Sequence, residues 1–252
     1  MNLENTSRRS QERLHLLFLD GLRGVAALYV VLFHVIADGR SELTADGAGL
    51  NFLRFGHEAV VVFIVLSGFV LTLPVCRSPG MRLPDGLAGF VSRRARRILP
   101  AYYASLLMLP LFFLVIELLK HLTGAGTDWT RLRDRYVSTD MLSHLFLLHN
   151  LSREWVNSIN PVLWSLSTEW WIYFVFALLL LPTWRRFGLV TAVLLCIVLS
   201  LVPASLLFLG LPTLLGSPHL LAGFGLGMAS AGLLLADGNL VRINRNRGLL
   251  TV

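Results

Sequence analysis

Residues 19–34 read LDGLRGVAALYVVLFH, an apolar stretch with Asp20, Arg23 and His34 set inside it. A helix needs about 20 mostly apolar residues to cross the hydrocarbon of a bilayer, and the stretch qualifies when extended to residues 14–36. Arg8, Arg9 and Arg13 precede it. Charges interrupt the apolar run and no small-residue cleavage pattern follows, so it reads as a retained span and not as a secretory signal. Five further segments qualify, at 57–75, 98–119, 161–182, 187–210 and 214–236. Backbone in hydrocarbon must satisfy its own hydrogen bonds. The expected fold is therefore all-α, a multi-span transmembrane helical bundle over residues 14–236.

Composition agrees. Hydrophobic residues make up 55% and charged residues 15% of 252 positions, outside the balance of a soluble domain. A net charge of +7 on a soluble domain would point to nucleic acid; here the basic residues, all arginine except Lys120, cluster between apolar runs. That pattern orients spans in a lipid bilayer. Arginines mark the N-terminal segment 1–13, the loop 76–97 (Arg77, Arg82, Arg93, Arg94, Arg96, Arg97), the turn with Arg185 and Arg186, and the tail 237–252 (Arg242, Arg245, Arg247). Six spans put all four on one side, which the positive-inside rule makes cytoplasmic. Residues 1–13 and 237–252 are then cytoplasmic segments, 80–95 lies inside, and 40–52 lies outside.

Loop 120–140, with Arg131, Arg133 and Arg135, falls on the outer side against the charge rule. Met141–Leu151, MLSHLFLLHNL, is too short to span and too apolar for an ordinary loop, which marks an interfacial or re-entrant helix. Cys76 and Cys196 are the two cysteines; they indicate inert thiols, with no disulfide framework and no metal site. Pro203 would kink the fifth span. Gly223, Gly225, Gly227 and Ala229 would let another helix approach the sixth closely.

Ionisable groups within spans are costly and are functional candidates. From Arg23 to His34, 100° per residue accumulates to about 1100°, roughly 20° past three turns, so the two share a face about 16 Å apart along the axis. Asp20 falls near the same stripe and could pair with Arg23. Gly21, Gly24, Ala26 and Ala27 keep the neighbouring surface thin. The plainer reading makes Asp20 a cap, Arg23 a snorkelling anchor and His34 an interfacial residue. A second cluster, RRARRILPAY, runs from Arg93 to Tyr102. Arg94 and Arg97 are i, i+3 neighbours, with Pro100 read as near the helix start, a disposition suited to a phosphate-rich ligand or to anionic lipid. The third, WSLSTEWWIY, places Glu169 in an aromatic-rich span entrance, where a carboxylate needs a partner or a function. Ser67 reads as packing or bonding to backbone before it reads as a nucleophile, and His57 and Glu58 as a solvated outer interface.

These clusters, in this order, resemble acyltransferase family 3, integral membrane enzymes that O-acylate sugars of lipopolysaccharide, peptidoglycan, exopolysaccharide and some antibiotics. The matching pieces are LDGLRGVAALYVVLFH, FIVLSGFVL at 63–71, RRARRILPAY and WSLSTEWWIY, with HLLAGFGLGMASA at 219–231. The resemblance implies that Arg23 and His34 are the family's essential Arg and His, Arg94 and Arg97 its Arg-x-x-Arg pair, and Glu169 the acid of its Trp-Ser-Leu segment. It also implies a chain cut short after about six spans.

By that resemblance the donor is an acyl-CoA, acetyl-CoA first, used as a substrate with no bound cofactor. The acceptor is a hydroxyl of a carbohydrate or lipid-linked glycan. His34 would act as general base, with Glu169 orienting it, or as an acyl carrier. Arg94 and Arg97 would hold the anionic part of the donor, and Arg23 would stabilise developing negative charge. The rival classes are a transporter or flippase-like subunit, with Arg23, His34 and Glu169 along a substrate or proton path, and a non-catalytic truncated family member.

Overall fold

The computed structural model describes residues 3–37, 51–126, 139–156, 158–208 and 217–247. Helix α1 runs Leu3–Leu32 and continues as a π turn, Phe33–Ala37; a 3₁₀ turn at Asn51–Arg54 leads into α2, Gly56–Arg77. Then follow α3, Gly86–Leu122; the short α4, Thr139–Leu145, and α5, Arg153–Val156; α6, Trp164–Val175, joined through a π turn at Phe176–Leu180 to α7, Leu181–Phe187; α8, Leu189–Phe208; and α9, His219–Arg247. No strand occurs among the described residues.

Among the described residues four helices are long and apolar enough to cross a membrane: Phe18–Val35, Gly56–Arg77, Gly86–Leu122 and Trp164–Phe187. The other two expected spans appear as shorter apolar helices over the described residues, Leu189–Val202 and His219–Leu235. Their outward faces are those of a membrane protein. On α3 alone, Leu107, Met108, Leu111 and Phe112 are all more than half exposed, a contiguous apolar surface that water would not tolerate and lipid accepts.

Several boundaries differ from expectation. Helix α1 already begins at Leu3, within the segment 1–13, and α9 continues to Arg247, within the segment 237–252. The third span begins not near residue 98 but at Gly86. Pro100 therefore lies inside α3 and not near its start; no proline interrupts residues 86–99, and the arginines simply prolong the helix. At 37 residues, α3 is about 55 Å long, well beyond the roughly 30 Å of hydrocarbon, so it carries RRARR on an extension of the span. Asp85, at φ 60°, turns the chain into α3 and pairs with Arg93. At the other end Gly124, at φ +73°, closes the helix, its N–H donating to the His121 carbonyl, as glycine does at a helix C-terminus. Residues 40–50 and the loop arginines 131, 133 and 135 lie outside the described residues, as does the side chain of Pro203.

The chain divides into two compact units. The first comprises Met1–Arg82, Phe187–Cys196 and Leu220–Val252; the second comprises Leu83–Arg186 and Ile197–His219. In the first, α1 packs along α2, and α2 packs on α9 where glycine permits it. A Cβ at Gly227 would strike the Val65 carbonyl, and one at Gly68 the Phe224 carbonyl; Gly225 lies against Cys196. The close approach expected of the 223–229 run is thus present. In the second unit the core is Tyr102, Leu106, Leu147, Ile159 and Leu163, covered by Leu99, Tyr103, Met141, Leu166 and Trp170.

Candidate functional site

In the first unit, α1 buries Leu19, Arg23 and Ala26, positions spaced i, i+4 and i+7 and so one helical stripe. Arg23 is 3% exposed. Its guanidinium sits over the Phe63 ring, 4.7 Å from the centroid, and donates to the Ser67 hydroxyl at 3.3 Å. Both partners belong to FIVLSGFVL on α2, so two separate motifs meet at one buried cation. A snorkelling Arg would direct its head to water; this one faces protein. Asp20 is exposed, and Gly21 and Gly24 have nothing near where a Cβ would stand. The thin surface they make is not the one that receives α2.

His34 is half-buried in the π turn that follows α1. The α-helical projection from Arg23 holds through Leu32, and the wider turn from Phe33 then alters the angle per residue. Such π turns recur at functional sites. The Phe33 ring stands edge-on to His34 at 5.0 Å and to His57 at 6.1 Å, and it fills the place a side chain at Gly56 would need. His34 is thereby joined to the entrance of α2 within one unit.

In the second unit RRARRILPAY meets WSLSTEWWIY. Arg94 is half-buried, with its guanidinium 5.9 Å from the Phe90 centroid and 5.7 Å from that of Tyr173. It lines a tight crevice with Val91, Trp170 and Phe174. The Tyr173 hydroxyl donates to the Glu169 carboxylate, which is 4% exposed. Half-buried Arg94 thus leads through Tyr173 to the buried Glu169. Arg97 is exposed, so the two arginines expected to act as a matched pair have different surroundings. Arg93 is held by Asp85 and the Pro84 carbonyl, and Arg96 by Ser92.

A further cluster lies in the segment read from sequence as an interfacial or re-entrant helix. Met141–Leu151 is broken: α4 ends at Leu145, Leu147 takes φ 55°, and a 3₁₀ turn follows at His149–Leu151. Hydrogen bonds satisfy the backbone this break opens. The Tyr102 hydroxyl donates to the His144 carbonyl at 2.7 Å and the Tyr103 hydroxyl to Leu145 at 2.8 Å. Ser167 and Trp171 both donate to the Leu147 carbonyl. Asn150 donates to the Trp164 carbonyl and the Thr168 hydroxyl, each at 2.7 Å, which fixes the start of α6.

His144 and His149 are 0% exposed, with rings stacked at 4.1 Å and 5°. The Nδ1 of His144 lies 2.9 Å from the Asp140 carbonyl and so carries the proton there. Burial lowers the pKa of His144. Burial, and then the neighbouring His144, push His149 down to about 4. Both are neutral at pH 7. The signal in sequence was only the two histidines of MLSHLFLLHNL.

A family model described as an acyltransferase domain matches residues 16–248. The chain is 27% identical over 187 residues to the peptidoglycan O-acetyltransferase OatA of Listeria monocytogenes, covering 71% of this chain and 26% of that protein. It is 28% identical over 186 residues to YrhL of Bacillus subtilis, provisionally named a peptidoglycan O-acetyltransferase, covering 68% of this chain and 25% of that one. It is 31% identical over 183 residues to BcsY of Komagataeibacter xylinus, provisionally named a membrane-bound transacylase, covering 67% and 39%. The matched region thus spans about a quarter to two fifths of these relatives. No solved structure matches the chain significantly.

Proposed function

Because the chain belongs to the acyltransferase domain family matched over residues 16–248, we propose that it is the membrane core of an O-acyltransferase. It moves an acyl group, acetyl first, from an acyl-CoA type donor to a hydroxyl of a carbohydrate or lipid-linked glycan. The observation that carries the reading is Arg23, a cation 3% exposed inside a span and held by Phe63 and Ser67, on the helix that leads to His34. Burying a guanidinium is costly, and its retention fits a group that must meet developing negative charge.

In this reading His34 takes the proton of the acceptor hydroxyl as its oxygen attacks the thioester carbonyl. The tetrahedral adduct then collapses to the ester and expels the thiolate, which takes the proton from His34 and leaves as the thiol. Arg23 stabilises the oxyanion. Arg94 binds the anionic part of the donor from its aromatic bed, and Arg97 adds an exposed charge beside it. Glu169, held by Tyr173, belongs to the same aromatic bed as Arg94 and helps to fix it. The protein sits in the plasma or inner membrane with its N-terminus cytoplasmic, in keeping with the arginine distribution.

The test is reconstitution of the full-length protein in vesicles with acetyl-CoA and a peptidoglycan-derived glycan. Mass spectrometry should find an alkali-labile acetyl ester on the glycan. A donor that is consumed in a protein-dependent way without ester formation, or not consumed at all, would overturn the proposal.

A further inference from the structure

The first unit has an open-sided cleft of roughly 630 Å³, lined among the described residues by Phe52, Arg54, Phe55 and Glu58. Phe52 is 57% and Phe55 56% exposed, and Arg54 and Glu58 are exposed beside them.

The cleft is tied to His34 through two connections. The Tyr29 hydroxyl donates to the Phe52 carbonyl and accepts from the Phe55 N–H at 3.3 Å, which pins the turn carrying both rings to α1 one turn before the histidine. The π turn bearing His34 packs against the 3₁₀ turn Asn51–Arg54. The Phe33 ring, edge-on to His34, also contacts the entrance of α2 at Gly56 and His57, between Phe55 and Glu58 in the chain.

The geometry points to this cleft as the acceptor subsite, and to a glycan as its occupant. A pyranose ring has an apolar C–H face and a rim of hydroxyls. Two exposed phenyl rings offer flat apolar surfaces to the first, while Glu58 accepts hydrogen bonds from the second and Arg54 donates them. An acyl chain would leave both charged groups without work, and an anionic headgroup would meet the Glu58 carboxylate. This assignment rests on the acyltransferase reading for its purpose and for its kinetic readout, but not for its binding test.

The experiment is saturation-transfer NMR of the full-length protein in detergent micelles with a β-1,4-linked N-acetylglucosamine tetramer, comparing wild type with Phe52→Ala, Phe55→Ala, Glu58→Gln and Phe52→Leu. Each lost ring should weaken glycan binding about tenfold and raise the acceptor KM by the same factor, with donor KM unchanged. Phe52→Leu should be nearly as weak as Phe52→Ala, because bulk without a flat face does not stack. An interfacial anchor would behave otherwise: Phe52→Ala would lower membrane yield, Phe52→Leu would restore it, and glycan binding would not change. That result, or no binding by wild type, overturns the subsite. If wild type binds the glycan through these rings but never acylates it, the subsite stands and the acyltransferase reading fails.

Discussion

Replacing Tyr173 by phenylalanine removes one oxygen from a buried site and leaves the ring that carries Arg94 in place. Tyr173 is 2% and Glu169 4% exposed, so the hydroxyl that donates to the carboxylate has little competition from water. A hydrogen bond to a charged group contributes about 1.5–3 kcal/mol. A loss of about 2 kcal/mol corresponds to roughly 4–8 °C in apparent Tm for a chain of this size. Fluorescence-detected size exclusion after heating, in one detergent, reads that shift. In a Glu169→Gln background the same substitution should cost about half as much, because the acceptor is no longer charged. An unchanged Tm, or an equal loss in both backgrounds, would refute the reasoning that the hydroxyl holds the carboxylate.

Gly227→Ala should lower stability by about 1–3 kcal/mol, because its Cβ meets backbone of α2 that no rotamer change can move. Gly223→Ala, facing only Val61 and Val65 side chains at 3.5 Å or more, should be nearly neutral by the same heating assay. Ser67→Ala removes an acceptor from buried Arg23 and should cost about 1–3 kcal/mol while leaving measurable acyl transfer; complete loss with normal stability would make Ser67 a nucleophile instead. Acid should loosen residues 139–151: His149 is held near pKa 4 against about 6.5 unfolded, so the unfolded chain binds more protons between those values. The stability present above pH 6.5 is then lost as pH falls toward 4, by up to roughly 3 kcal/mol. Hydrogen exchange should show this segment opening before α6 does, and His149→Phe should remove most of the pH dependence; equal protection factors at pH 7 and 5 would contradict it.

The spans were legible because lipid imposes a length and a composition that survive in the sequence, as in Gly56–Arg77. The start of α3 was not legible for the opposite reason: RRARR is too charged to look like a span, yet nothing in it stops a helix. The π turns at Phe33 and Phe176 leave no residue signature, so an α-helical projection could carry Arg23 to the right stripe but not fix the angle of His34. Arg23, Arg94 and Glu169 stood out as charges in apolar surroundings. Their partners did not, because Ser67 lies 44 residues from Arg23, and Phe90 and Tyr173 become neighbours only through packing. The burial of His144 and His149 depends on a break at Leu147 that no glycine or proline announces.

The central claim is that His34 handles the acceptor proton. It is tested most directly by His34→Gln in the full-length protein, with acyl transfer to a glycan hydroxyl and acyl-CoA binding measured on the same preparation. The ring is half-buried and supports no large core, so folding and donor binding should stay close to wild type. Transfer should fall by a factor of about 100 or more, because an amide keeps hydrogen bonding but takes up no proton at neutral pH. Near-normal transfer by His34→Gln would contradict the claim and leave Arg23 and Glu169 to account for the chemistry.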